Sequence, residues 1–402
     1  MAKGPLSVEQ ALTRVLDGLT PLGVETISLD VAHGRVLAED LAAGMSQPPF
    51  PSSAMDGYAV RAADAADPGS VLTLTGESAA GHPCDRLVRS GEAVRIFTGG
   101  AVPDGANAIL IQENARRAPD GSIQVIEPVK PGEHVRRKGY DFNEGDVLLR
   151  AGQRLSARDL LLAATMNEAA LPVRRRPRVA ILATGDELVS PGGTLGAGQI
   201  VSSIPHGLEA LVNAAGGAAR RIGIARDTKE SLAEHLASAK EADILVTIGG
   251  ASVGDHDIVQ QALRDAGVAF DFWRIAMRPG KPLMYGRRGD QRVLGVPGNP
   301  VSAVVCSRVF LVPMLRALLG LRPMRDTLEQ AVLDCDVEAN GPRQHYMRAT
   351  LTAGKPLRVN PSPTQDSSLV AVLARSDCLV IRPPNAPAAR KGDTVPLLRL
   401  DF

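Results

Sequence analysis

The spacing of apolar residues changes period several times along this chain. Leu6, Leu12, Val15 and Leu16 recur at helical spacing, and Ser7 ahead of them can cap the amino end, which predicts a helix over 6–17. From about 25 to 150 the texture becomes short β-branched runs broken by Gly, Pro and Asp, at 71–75, 93–97, 108–112 and 123–126. Short strands at that spacing predict one or two small β modules. Helical texture returns at 158–166, and the basic, Pro-containing run at 173–178 reads as a boundary.

From 177 to about 320 the period alternates. Strand-like runs at 179–183, 219–224 and 244–248 are interleaved with helical stretches at 205–215, 228–240 and 256–266. Further strand-like runs follow at 271–276, 282–286 and 292–296, and a helix starts near Val301. Such alternation predicts a mainly parallel sheet covered by helices on both faces, a three-layer α/β/α domain. After about 328 the texture is β again, so the expected order is β module, α/β domain, β module. The apolar stretch 301–319 is long enough to span a membrane, but it carries Arg308, Arg316 and Pro313. A buried helix is the expectation there, and no membrane is expected as a partner.

Composition narrows the function classes. Lys and Arg together number 45 against 44 Asp and Glu, so no strong electrostatic footprint for nucleic acid is expected. Aromatic residues are 3% of the chain, which disfavours base-stacking platforms. The four cysteines, Cys84, Cys306, Cys335 and Cys378, show no C-x-x-C spacing. They read as reduced thiols rather than a zinc site or redox pair, and with no apolar secretory core at the start a cytoplasmic protein is expected.

Ligands of open α/β sheets bind outside the carboxyl ends of the strands, and the expected strand ends here are rich in polar chemistry. They carry Thr184-Gly185-Asp186-Glu187, then Ala225-Arg226-Asp227, then the run from Gly249 to Asp257, Arg278-Pro279-Gly280-Lys281-Pro282 and Pro297-Gly298-Asn299-Pro300. In the third, Gly249, Gly250, Ser252 and Gly254 could form an ordinary turn and helix cap, or bring backbone N–H groups to an oxyanion. The spacing matches neither a P-loop nor a dinucleotide fingerprint. Lys281 stands out because the chain has 8 Lys beside 37 Arg. Held between prolines on a stiff turn, its ammonium suits an oxyanion, though a lysine kept for solubility is the plain alternative. Glu187, Asp227, Asp255 and Asp257 offer the hard oxygens that Mg²⁺ prefers, while each singly could be a cap or a solvated charge. A second polar cluster lies at 48–58, with Asp56-Gly57, and at 95–105, with Thr98 ahead of Gly99 and Gly100.

Together these segments resemble the molybdenum insertase family, the bacterial molybdopterin molybdotransferases related to the gephyrin E domain. The resemblance rests on SSAMDGYAVR (52–61), RIFTGGAVPDGANAI (95–109), RRKGYDFNEGDVLLRAG (136–152), ATGDELV (183–189), GGASVGDHD (249–257), MRPGKPL (277–283) and PGNPVSA (297–303) in collinear order. It implies a transferase that moves molybdenum from molybdate to adenylylated molybdopterin and releases AMP. A molybdopterin adenylyltransferase and a non-catalytic molybdopterin-binding scaffold are the alternatives. The implied organisation is an N-terminal linker region (1–45 and 146–176), a β domain (46–145), an α/β molybdopterin-binding domain (177–325) and a C-terminal β-barrel (328–402). A homodimer with a composite site is implied too, and other molybdenum-cofactor biosynthesis proteins are candidate partners. By position, Asp56 and Thr98 match residues acting across the dimer. Asp186, Asp227 and Lys281 match the reacting pocket. Gly249, Gly250, Ser252, Gly254, Arg278, Pro297 and Pro300 match its cofactor-binding walls, and Glu187 and Asp257 match the Mg²⁺ ligands. Arg278 stands where many members carry Lys, which keeps the charge but substitutes a planar fork for a compact ammonium.

Overall fold

The computed structural model describes residues 4–250, 258–322 and 328–402. The chain opens with the helix Val8–Leu16, whose Ser7 and Gln10 form a reciprocal capping box. Its buried face, Val8, Ala11, Leu12 and Val15, joins the core of the distant α/β domain rather than that of its sequence neighbours. Tyr285 donates its hydroxyl to the Val15 carbonyl at 3.1 Å, and Arg14 pairs with Asp271 at 2.7 Å.

Next comes a paired linker region. Strand Val24–Ser28 runs antiparallel to Ala170–Arg174, and Leu41–Ala42 to Val147–Leu149. Between these halves lies a six-stranded sheet in the order Ala108–Ile111, Gly57–Val60, Glu92–Ile96, Val71–Ser78, Ile123–Val125 and Ala115–Arg117.

The central sheet is mixed but mainly parallel. Its order is Ala218–Ala225, Arg178–Thr184, Ile244–Ile248, Gln291–Val296, Pro282–Arg288 and Ala269–Arg274. The first four strands pair in parallel, and Pro282–Arg288 runs against both of its neighbours. Side chains alternate between two cores, as the period of a strand requires. Val179, Ile181, Val246 and Leu294 meet the layer of Ile204–Ala214, Pro300–Leu318 and the N-terminal helix. Ala180, Leu182, Leu245 and Val293 meet Lys229–Ser238 and Ile258–Asp265.

The apolar helix is long enough by composition to cross a membrane, yet 89% of it is buried inside the protein. It contains a π-helical turn, Ser307–Leu311, just before Pro313. Proline lacks the N–H that would continue the α-helical ladder, which accounts for the change of register.

The C-terminal strands Glu329–Leu333, Gln344–Thr352, Arg358–Pro361, Cys378–Arg382 and Thr394–Arg399 close into a five-stranded barrel. A sixth short strand, Met277–Arg278, joins its rim, pairing Met277 with Gln344 and Arg278 with His345. The α/β domain and the barrel are thus stitched together at the loop that carries Lys281.

Candidate functional site

The carboxyl ends of the parallel strands gather most of the described candidate residues on one rim. Gly185 follows the first strand with φ +144, and its N–H donates to Ala225 on the neighbouring strand at 3.1 Å. That contact draws the turn Asp186-Glu187 to Asp227, whose N–H donates to Asp186 Oδ1 at 3.3 Å. Burial, then the Asp186 and Glu187 charges, hold the Asp227 carboxyl above its usual range. Three carboxylates therefore crowd one end of the rim. A divalent cation would relieve that repulsion, so the donor chemistry fits Mg²⁺. Among the described residues, no group of three His, Cys, Asp or Glu is already arranged as a metal cage. Ser252, Gly254, Asp255 and Asp257 lie outside the described residues.

The centre of the rim is backbone. Gly249 has φ +93, and a Cβ there would meet the carbonyl and hydroxyl oxygens of Thr184 at 2.9 and 3.0 Å. On its other side it faces the Gly298 turn, where a Cβ would stand 3.6 Å from the Gly249 Cα. The positive φ and the close approach to Thr184 require glycine at Gly249, while the Gly298 turn packs against it at ordinary contact distance. Gly250, at φ +60, continues the turn. Pro297 is buried, and Pro300 opens the helix Pro300–Cys306 behind Asn299.

At the far end sits the basic loop. Because Pro282–Arg288 runs antiparallel to Gln291–Val296, its first residue falls on the carboxyl side of the parallel strands. Lys281 is exposed there, and its carbonyl accepts from the Ile275 N–H at 3.1 Å. Gly280 at φ +105 sits so close over Cys306 that a Cβ would overlap Sγ. Arg278 is exposed beside the barrel strand that bears His345.

The described acids Asp186, Glu187 and Asp227 and the basic loop of Arg278 and Lys281 share this rim but occupy opposite ends. Three inter-strand spacings separate the Asp186-Glu187 turn from Lys281, or about 14 Å. Of the acids expected beside the lysine, Glu187 and Asp227 thus lie at the far end and Asp255 and Asp257 lie outside the described residues; the described rim runs as a trough from those acids across Gly249 and Gly250 to Lys281.

Asp56 and Thr98 form a separate pair in the N-terminal β domain. Asp56 accepts from the Thr98 N–H at 2.7 Å and from its hydroxyl at 2.8 Å. These donors, aided by Arg95, hold the Asp56 carboxyl below its usual range. Arg95 lies over the Tyr58 and Phe97 rings, 5.1 and 4.9 Å from their centroids. A Cβ at Gly57 would overlap the Leu110 carbonyl, so Asp56-Gly57 has the only residue type that fits this turn.

Of three polar groups at the trough, Thr247 escaped the sequence reading, while Thr184 and Asn299 were named there only as members of strand-end turns. Thr184 Oγ1 donates to Ile248 at 3.3 Å beneath Gly249. Thr247 Oγ1 and Asn299 Oδ1 are buried without a partner among the described residues. Each falls inside or beside a quoted motif, which was the available signal, but periodicity does not tell a buried hydroxyl from an ordinary strand residue.

Comparison with known proteins agrees along the chain. Residues 6–167 match the MoeA N-terminal region (domain I and II), 180–317 the probable molybdopterin binding domain, and 330–400 the MoeA C-terminal region (domain IV). The molybdopterin molybdenumtransferase of Haemophilus influenzae is 32% identical over 97% of both chains. That of Nostoc is 34% identical over 94% of this chain and 88% of its own. Molybdopterin molybdenumtransferase 2 of Mycobacterium tuberculosis is 37% identical over 81% and 83%. A crystal structure of a molybdopterin biosynthesis protein from Pyrococcus horikosii superposes with a TM-score of 0.87, at 30% identity, over 99% of this chain and 100% of that one.

Proposed function

This chain belongs to the molybdopterin molybdenumtransferase family, and from that premise we propose that it transfers molybdenum from molybdate to adenylylated molybdopterin, releasing AMP. The observation that carries the reading is the trough: carboxylates at one end, a glycine floor in the middle, and Arg278 and Lys281 at the other end. A substrate with a phosphoanhydride at one end and a metal-accepting dithiolene at the other calls for such separated charges.

Each set of residues has a positional task. Glu187 and Asp257 would hold Mg²⁺, which when bound supplies positive charge to the phosphoanhydride oxygens. Asp186 and Asp227 flank that end, where their carboxylates would orient water or molybdate beside the metal. Gly249, Gly250, Ser252 and Gly254 would present backbone N–H groups, with Pro297 and Pro300 shaping the wall. Lys281 and Arg278 would neutralise molybdate, the compact ammonium as a point charge and the guanidinium as a fork. The thiolates the reaction needs belong to the substrate, so none of the chain's own four unpaired cysteines is required.

Asp56 and Thr98 bond to each other within their own β domain. We assign them to the trough of a second subunit, which makes the functional unit a homodimer. A cytoplasmic setting accords with the unpaired thiols.

The direct test incubates the protein with adenylylated molybdopterin, molybdate and Mg²⁺ and follows AMP. Molybdate-dependent AMP release is expected. Pterin binding without it would favour a scaffold, and formation of adenylylated product from ATP and free pterin would favour an adenylyltransferase.

A further inference from the structure

A second concave site lies at the opposite end of the central sheet from the trough. The helix Ile204–Ala214 ends beside Pro177, whose carbonyl accepts from Ala218 at 2.8 Å where the first parallel strand begins. That strand is seven residues long, so the two ends are about 20 Å apart. Here a half-open cleft of about 390 Å³ is bounded by the linker region, two helices of the α/β domain and the chain's last residues.

Arginines from separate parts of the fold line it. Arg154 comes from the linker region and donates to the Ala214 and Ala215 carbonyls at 3.1 and 2.7 Å, which anchors it against the end of the helix. Arg316 comes from the last turn of the long buried helix, and Arg322 is exposed just beyond it. Burial, then the neighbouring Arg316 charge, disfavour the charged form of Arg154, a cost that an anion seated beside it would offset. Among the described residues the one carboxylate side chain lining the cleft is Asp401, 72% exposed and 3.7 Å from Arg308. The floor is different in kind: Leu321 and the edge of the largely buried Val312 present apolar surface, with Leu211 fully buried behind them.

We propose that this cleft binds a phosphate monoester bearing an apolar group, with the phosphate held between Arg154, Arg316 and Arg322 and the apolar group on Val312 and Leu321. Guanidinium forks match phosphate oxygens in pairs, and the apolar floor discriminates an ester from a bare anion. A ligand there bridges the linker region and the α/β domain without entering the trough.

The test is calorimetric titration of the full chain at pH 8 with phenyl phosphate and, separately, inorganic phosphate, both dianions there. Phenyl phosphate is expected to bind about fivefold or more tightly than phosphate, from the apolar area it buries. Arg322→Gln and Arg154→Gln should each weaken it about tenfold, the effect of losing a charge-assisted hydrogen bond. Arg322 is exposed, so its replacement keeps the test independent of folding. In Lys281→Ala the binding should be unchanged. Loss of binding in Lys281→Ala would place the ligand in the trough and overturn the proposal. So would full binding in both arginine variants, or no heat at millimolar ligand. Equal affinity for the two ligands would overturn the ester assignment.

Discussion

Two ionisable residues show how local contacts set protonation in this protein. Asp56 is held ionised by two hydrogen bonds from Thr98. A carboxyl lowered in the folded state adds stability above its unfolded value and loses it as pH falls through the folded one. Asp56→Asn should therefore lower the urea midpoint slightly at pH 7, with the difference from the parent vanishing as pH falls below the carboxylate range, and should lower AMP release about tenfold or more, as expected for loss of a charge-assisted contact. Unchanged turnover would remove Asp56 from the site. His345 behaves oppositely. It is 7% exposed, its Nε2 has no partner among the described residues, and it faces Arg278, Arg343 and Arg348. Burial first, then those charges, push it from 6.5 down to about 4. The unfolded chain takes up the proton first on acidification, so stability is complete above about pH 6.5 and drains away toward pH 4, by at most about 3 kcal/mol. Urea midpoints measured across that window should fall in the parent and flatten in His345→Gln. An equal slope in both would show that other groups dominate.

At the scale of elements, the basic turn is fixed from below and from the side. Cys306 leaves no room for a side chain at Gly280, and the barrel strand Gln344–Thr352 pairs with Met277–Arg278. Gly280→Ala combines a strained φ with a clash, so a loss of about 1–3 kcal/mol is expected. Molybdate-dependent turnover should drop with it as Lys281 shifts, which Tm and AMP release together can check. The N-terminal helix offers a parallel case. Leu12 is 9% exposed within the α/β core, and Leu12→Ala should cost about 2–4 kcal/mol by denaturant titration. A cost near zero would mean the helix docks too weakly to matter. These elements also mark what the sequence could tell. The alternation of Val179, Ala180, Ile181 and Leu182 between two cores is local, and so was readable. So were the capping Ser7 and the glycines at the strand ends. The docking of Val8–Leu16 onto strands some 260 residues away, and the pairing of Arg278 with His345, depend on long-range register that no local period encodes. The same reason hid the separation of Asp186, Glu187 and Asp227 from Lys281: it follows from Pro282–Arg288 running antiparallel, at a fixed distance from the strand Arg178–Thr184.

Across the whole molecule, the proposed division into linker region, β domain, α/β domain and barrel leaves the candidate residues in two groups. Asp56 and Thr98 are hydrogen-bonded within the β domain, whereas Glu187, Arg278 and Lys281 lie on the rim of the central sheet. An isologous dimer would assemble both groups twice, once in each of two symmetry-related pockets. That arrangement makes a prediction no single-subunit site can reproduce. Asp56→Ala and Lys281→Ala are expected to be inactive as separate homodimers. After mixing under conditions that exchange subunits, each mixed dimer holds one pocket with both lesions and one with neither. Activity should recover toward about half that of the parent, scaled by the fraction of mixed dimers. With exchange verified by differently tagged subunits, absence of any recovery would place all of these residues in one subunit's site. A monomer at working concentration, measured by light scattering, would lead to the same conclusion.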